Sequence, residues 1–200
     1  MVEIKTGMFL GGDAARAAAA DPLRMAFGYV KIAGLVLAFL ASARFWWARE
    51  RGSRWWDVRD IAWDRLLLGL LLFFGVGSAP ELLEGRVDST AYHLIGIAWT
   101  ILLLPALFLL VAGLFGDRQT PLSAMFRSAW PWLAVTTILV VLAFGPANWV
   151  HGMNHRWAMA AEPAVVWALM IFDSLVDGFM AGATGTALYL GYRGFARSRR

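Results

Sequence analysis

Two aspartates lie one helical turn apart in a stretch that is otherwise apolar. The stretch "IFDSLVDGFMAGATG" runs from Ile171 to Gly185 and contains Asp173 and Asp177. Residues four apart share one face of a helix, so both carboxyl groups are expected on the same side. An aspartate at the centre of a membrane helix costs about 2.5–3.5 kcal/mol on insertion scales. We therefore expect this face to turn away from lipid, toward other helices, a partner subunit or a water-filled cavity.

Small residues lie beside these aspartates on the same helix. Gly178 and Gly182 form a GxxxG pair, and Gly185 extends the narrow side of the helix. Small side chains allow the backbones of two membrane helices to approach closely. The pattern predicts a helix-packing face next to the carboxylates, used either within the chain or by another subunit.

Lys31 is a candidate partner for the aspartates. It lies inside the first apolar stretch, at nearly the same expected depth as Asp173. In one interpretation, Lys31 and Asp173 form a structural ion pair, and Asp177 is protonated or hydrogen-bonded. In the other, both carboxylates bind a proton or a cation, which is a common role of acidic residues inside membranes.

Three histidines are candidate metal ligands: His93, His151 and His155. In "HGMNH", the last two are four residues apart, a spacing that on a helix presents both imidazoles to one ion. Zinc and copper both accept imidazole ligands. Gly152 and Asn154 have low helix propensity, so a regular helix is not expected here. The sequence favours histidines that bind no metal, with a zinc or copper site as the alternative.

Motifs of catalysis are missing from the sequence. We find no GxSxG nucleophile turn, no glycine-rich phosphate loop and no HExxH zinc signature. The chain has no cysteine, which excludes disulfides, thiolate metal sites and iron–sulfur clusters. We therefore expect a protein that is not an enzyme and that needs no cofactor.

The composition is that of a membrane protein. Of the 200 residues, 60% are hydrophobic and 16% are charged, whereas soluble domains are about half apolar and a quarter charged. No polar stretch is long enough to build a separate soluble core.

Five apolar stretches are long enough to cross a bilayer, which takes about 20 helical residues. They cover approximately residues 25–47, 61–80, 91–115, 123–144 and 164–190. The sequence therefore predicts an all-α fold, with a five-helix transmembrane domain over residues 25–200 that ends in a short basic tail. Residues 1–24 form an N-terminal segment that is a candidate interfacial helix.

The charges beside these stretches predict the orientation. Arginines concentrate in residues 48–60 and in the C-terminal "RGFARSRR", whereas acidic residues concentrate in residues 81–88 and at Glu162. Because cytoplasmic loops carry the excess of basic residues, the N-terminus is expected outside and the C-terminus in the cytoplasm. All three histidines then lie on the outer side. Arginine provides sixteen of the 18 basic residues, a bias that favours a GC-rich bacterium and hence a bacterial inner membrane.

Three functional hypotheses follow. The first is a non-catalytic subunit, scaffold or assembly component of a larger inner-membrane complex, docked through Asp173, Asp177 and the Gly178/Gly182 face. Its partners would be other membrane subunits, or a second copy through the last helix, within the bilayer and without nucleic acid. The second is a small proton- or cation-coupled transporter or channel subunit that uses Asp173 and Asp177. The third is a metal-binding protein that uses the outer histidines.

Overall fold

The protein is helical throughout the part of the chain that the structure describes. The structure, a computed structural model, describes residues 7–199, apart from the side chain of Ala19. The chain is 81% helical, and the described residues form no β-strand. The all-α prediction is therefore confirmed. The first six residues of the predicted N-terminal segment 1–24 lie outside the described residues.

Seven α-helices follow one another within the described residues. In chain order they are α1 (Gly12–Ala19), α2 (Pro22–Glu50), α3 (Trp63–Leu70), α4 (Ser89–Leu114), α5 (Leu122–Ser128), α6 (Trp130–Ala158) and α7 (Pro163–Arg197). A 3₁₀ turn, Met8–Leu10, precedes α1. Helix α3 continues as a π-helical turn, Leu71–Val76, which is followed by a 3₁₀ turn, Ala79–Leu83.

Five helical segments are long and apolar enough to cross a membrane. They are α2, the segment Trp63–Leu83 that begins with α3, and then α4, α6 and α7. Each overlaps one of the five stretches predicted from the sequence, because hydrophobic length is a local property of the chain. The five apolar helices suggest a membrane protein.

Helix α6 is longer than the fourth predicted span, which was expected to end at residue 144. It continues through Pro146 and Gly152 to Ala158. The expectation that "HGMNH" would not form a regular helix is therefore wrong. Helix propensity is a weak local preference that tertiary contacts override, and here Asn154 donates a hydrogen bond to Asp173 on α7.

The chain divides into two compact units. The first combines the described part of Met1–Ser42 with Leu139–Thr186, and the second combines Ala43–Ile138 with Ala187–Arg200. Helices α2, α6 and α7 each contribute residues to both units.

In the first unit, the N-terminal turn attaches to the connection between α6 and α7. Phe9 is buried in a hydrophobic cluster with Ala158 and Val166. The carbonyl of Phe9 accepts a hydrogen bond from the backbone N–H of Ala160 at 2.8 Å. Its ring centroid lies 5.7 Å from that of His155. The N-terminal segment therefore covers the end of α6 at which the histidines lie.

In the second unit, α3 and α4 pack backbone against backbone. A Cβ atom added at Gly69 would lie 2.5 Å from the Cα of Leu110, and one added at Gly113 would meet the backbone of Leu66. Only glycine permits this approach, because any side chain would hold the helices apart. The N–H of Ala62 donates to the carbonyl of Gly113 at 2.9 Å.

Arg44, in the second unit, is a buried arginine with several hydrogen-bond partners. Its side chain is 5% exposed. The guanidinium donates to the carbonyls of Trp55, Asp57 and Leu114 and to the carboxylate of Asp60. A buried charge needs such partners to replace its hydration. Arg44 thereby joins the arginine-rich loop after α2 to the C-terminal end of α4.

Candidate functional site

Helix α7 holds Asp173 in a buried position, and α6 supplies its partners. The Asp173 side chain is 6% exposed. Both of its carboxylate oxygens lie 2.8 Å from Nδ1 of His151. The Asn154 amide donates to Oδ1 of Asp173 at 3.2 Å. Because Asp173 follows the start of α7 at Pro163 by ten residues, it lies about 15 Å along the helix.

His155 joins this group from the next turn of α6. Its Nε2 lies 3.8 Å from Oδ2 of Asp173, and its ring centroid lies 4.6 Å from that of His151. One ligand-type atom from each of these three residues lies within 4.8 Å of the others. The spacing of four residues therefore brings both imidazoles to one carboxylate.

Asp177 pairs with Lys31 of α2. The Lys31 ammonium lies 2.9 Å from Oδ2 of Asp177, whose side chain is 18% exposed. Oδ1 of Asp177 lies 3.9 Å from Nδ1 of His151, so this imidazole stands between two carboxylates. The sequence-based pairing was between Lys31 and Asp173. In the structure, Lys31 instead pairs with Asp177, which lies one turn, or about 6 Å, further along α7 than Asp173. The lysine side chain is long enough to reach it.

A cavity of about 620 Å³ reaches both carboxylates. Its walls come from α2 and α7 and include Lys31, Asp173 and Asp177, with Tyr29 and Met170 among their neighbours. The cavity gives the charged groups a route to the surface of the first unit.

Asn154 also belongs to the site, although it was not predicted from the sequence. It is fully buried, and its Oδ1 makes no hydrogen bond among the residues that the structure describes. Buried polar side chains are normally hydrogen-bonded, so such an atom calls for an explanation. The available signal was its position three residues after His151, which puts the two side chains on one side of a helix.

His93 does not belong to this group. Its Nδ1 lies 2.5 Å from the carbonyl oxygen of Ser89, one turn earlier in α4. His93 belongs to the second unit, whereas His151, His155 and Asp173 belong to the first.

The small face of α7 is partly open. A Cβ atom added at Gly178 or Gly182 would meet nothing within 4 Å among the described residues. The carbonyl of Gly182 accepts a hydrogen bond from the Ser42 hydroxyl at 3.0 Å, and Gly185 is buried.

The fold and the site define a class: a helical protein with five apolar helices and two half-buried imidazoles beside a buried carboxylate. Acidic and basic side chains within apolar helices commonly mark ion pathways. No family model, curated protein or solved structure matches this chain. Its function is therefore inferred from its own residues.

Proposed function

We propose that the protein is a small cation transporter or channel subunit that binds its ion at Asp173 and Asp177. One observation carries the proposal: these carboxylates lie within an apolar helix and are surrounded by polar groups of the same chain. Asp173 contacts His151 and Asn154, and Asp177 contacts Lys31. Ionisable residues kept in such surroundings are typical of ion pathways.

The internal partners favour ion binding over docking. A carboxylate that served only to dock another subunit would gain its compensating contacts from that subunit. Asp173 and Asp177 instead have their contacts inside the chain. The cavity that reaches both carboxylates also supports the proposal, because an ion needs a route to its ligands.

We further propose that the protein lies in a bacterial inner membrane with its N-terminus outside and its C-terminus in the cytoplasm. The distribution of arginine supports this orientation. Arg49 lies in the last turn of α2, and Arg51, Arg54 and Arg59 lie in the connection between α2 and α3.

The test is cation flux through the purified full-length protein in liposomes. Monovalent and divalent cations are offered under an imposed gradient, and their uptake is measured. We expect flux in the wild type and its loss in Asp177→Asn, with unchanged particle size. Asp64→Asn is the matched control, because Asp64 is an exposed carboxylate in the first turn of α3. A folded wild type that moves none of the cations contradicts the proposal.

A second candidate function is that of a non-catalytic subunit or assembly component of a larger membrane complex. The open face at Gly178 and Gly182 favours it, because small residues allow a further helix to approach. The partner would be another membrane subunit or a second copy of this chain.

Gentle extraction from the native membrane tests this candidate, with the mass and composition of the intact particle as the readout. Foreign subunits in a fixed ratio, lost in Gly178→Leu, support it. Gly96→Leu is the control, because Gly96 on α4 also faces open space. A monomeric particle contradicts it.

A further inference from the structure

We propose that His151, His155 and Asp173 form a binding site for one divalent transition-metal ion of the zinc class. This ion would be the cation of the proposed function, and its role in transport rests on that function. Binding itself can be measured separately. The residues come from consecutive helices, α6 and α7, and all lie in the first unit.

The donor atoms have nearly the spacing that a metal ion requires. With bonds of about 2.1 Å, a tetrahedral ion holds its ligand atoms about 3.4 Å apart. Oδ2 of Asp173 lies 2.8 Å from Nδ1 of His151 and 3.8 Å from Nε2 of His155. The two observed distances bracket the required one, and all three ligand-type atoms lie within 4.8 Å of one another, so a bound ion would draw the donors closer together.

The surrounding contacts orient the proposed ligands. Asn154 donates to Oδ1 of Asp173, which leaves Oδ2, the oxygen nearer to His155, for the ion. Hydrogen bonds of this kind from outside the ligand shell commonly fix metal-binding side chains. The two histidines stand on adjacent turns of one helix, which holds their relative positions more firmly than a loop does.

The donor set selects the class of ion. Two imidazole nitrogens and one carboxylate oxygen suit zinc and neighbouring first-row metals, whereas calcium and magnesium prefer oxygen ligands alone. The chain has no cysteine to offer a thiolate. Three protein ligands leave a fourth position of a tetrahedral ion open to water or to another small ligand.

The environment strengthens binding. Phe9 is buried and packs against His155, which keeps water from one side of the site. Attraction between an ion and its charged ligand increases as the effective dielectric constant falls. Asp177, whose Oδ1 lies 3.9 Å from Nδ1 of His151, adds a second negative charge nearby, which the Lys31 ammonium at 2.9 Å partly offsets.

The experiment titrates the full-length, detergent-purified protein with Co²⁺ and Zn²⁺ after removal of metal by a chelator. Visible absorption of Co²⁺ reports its coordination, and displacement by Zn²⁺ gives the zinc affinity. We expect one ion per chain, with affinity reduced at least about tenfold in His155→Gln and Asp173→Asn. His93→Ala is the matched control and should bind like the wild type, because His93 lies outside the group.

Thermal unfolding separates loss of ligands from loss of the fold. A bound ion raises the melting temperature by mass action, so Zn²⁺ should stabilise the wild type and His93→Ala but not His155→Gln. If Asp173→Asn does not fold, His155→Gln still provides the comparison. A folded wild type that binds neither ion overturns the proposal, as does equal binding by the wild type and His155→Gln.

Flux measurements distinguish this inference from the function on which it rests. Zinc binding without movement of any cation supports the metal site and contradicts transport. Movement of a monovalent cation without binding of Zn²⁺ or Co²⁺ overturns the metal site and supports the transport function. Zinc flux that His155→Gln abolishes and His93→Ala retains supports both.

Discussion

Asp173 and Asp177 lie one turn apart on α7 but differ in their burial and in the groups they contact. Asp173 is almost completely buried against His151 and Asn154. Asp177 is more exposed and pairs with the ammonium of Lys31. A neutral imidazole has a nitrogen lone pair that can bind a metal ion, whereas an ammonium has none. Asp173 is therefore the proposed direct ligand of the metal, and Asp177 contributes to the ion site through its charge.

Removal of the Lys31 charge should tighten metal binding. In the wild type, the ammonium opposes a divalent cation near His151 and occupies Asp177. Lys31→Gln removes this repulsion and leaves the carboxylate to attract the ion. We expect the zinc affinity, measured by displacement of Co²⁺, to rise roughly tenfold, which corresponds to about 1.4 kcal/mol. Lys31→Arg preserves the charge and should leave the affinity unchanged, and a Lys31→Gln protein with wild-type affinity would contradict this account.

Asp117, in the loop after α4, has an unusually complete set of hydrogen bonds. Its carboxylate accepts from the Thr120 hydroxyl at 2.6 Å, from the Tyr192 hydroxyl at 2.6 Å and from the amide of Gln119 at 2.9 Å. Burial acts to raise the pKa of Asp117, but the hydrogen bonds from Thr120, Tyr192 and the loop amides outweigh it. The pKa of Asp117 therefore lies below its ordinary value.

This shift predicts a loss of stability in acid. A lowered pKa in the fold means that the carboxylate stabilises the protein above its unfolded pKa of about 3.9, and that this stability disappears as the pH falls through the folded pKa. Asp117→Asn should be less stable than the wild type by about 1 kcal/mol at neutral pH. The difference should shrink below about pH 4. Melting temperatures of both proteins across this pH range provide the measurement, and a difference that does not depend on pH would count against the explanation.

The sequence identifies the individual site residues better than it identifies their partners. Asp173 is conspicuous because it lies in an apolar stretch, and His151 and His155 because of their spacing. Their association depends on the extension of α6 to Ala158 beside α7, which the low helix propensity of Gly152 argued against. Tertiary contacts decide this point, and no local pattern reports them.

At the scale of the helix pair, the contact between α3 and α4 depends on glycine. An added methyl group at Gly69 or Gly113 meets the backbone of the other helix, which cannot move aside as a flexible side chain can. We expect Gly69→Ala and Gly113→Ala each to lower stability by about 1–3 kcal/mol, the usual cost of overpacking. Gly96→Ala, in the same helix as Gly113, faces open space and should be neutral or slightly stabilising. Thermal unfolding of the three variants in detergent tests this, and equal melting temperatures would be inconsistent with close packing.

Some glycine contacts can be predicted from the pattern within one helix, and others cannot. The GxxxG pair at Gly178 and Gly182 is recognisable because both glycines lie on one helix. Gly69 and Gly113 lie on different helices, and their common role emerges only when α3 and α4 are brought together. Sequence spacing therefore identifies a face that permits packing, but it does not identify which helix packs there.

For the whole chain, the number of apolar helices was predictable, whereas the division into two units was not. Length and hydrophobicity are local, but the grouping of 139–186 with the N-terminal residues depends on contacts distant in sequence. Large apolar side chains remain exposed along the long helices, among them Val30, Leu37 and Ile138. A surface of this kind is suited to lipid or to further membrane helices.

The orientation of the chain can be tested with single cysteines, because the native sequence contains none. Ala20→Cys places a cysteine at the exposed residue that follows α1, and Ser53→Cys places one in the exposed arginine-rich loop after α2. With the N-terminus outside, a membrane-impermeant maleimide added to intact cells should label Ala20→Cys but label Ser53→Cys only after lysis. The opposite labelling pattern would show that the N-terminus is in the cytoplasm and would contradict the proposed orientation. Because the first residues of α2, among them Arg24 and Met25, line the cavity that reaches Asp173, the expected pattern would also mean that the proposed metal site takes its ion from the outer side of the membrane.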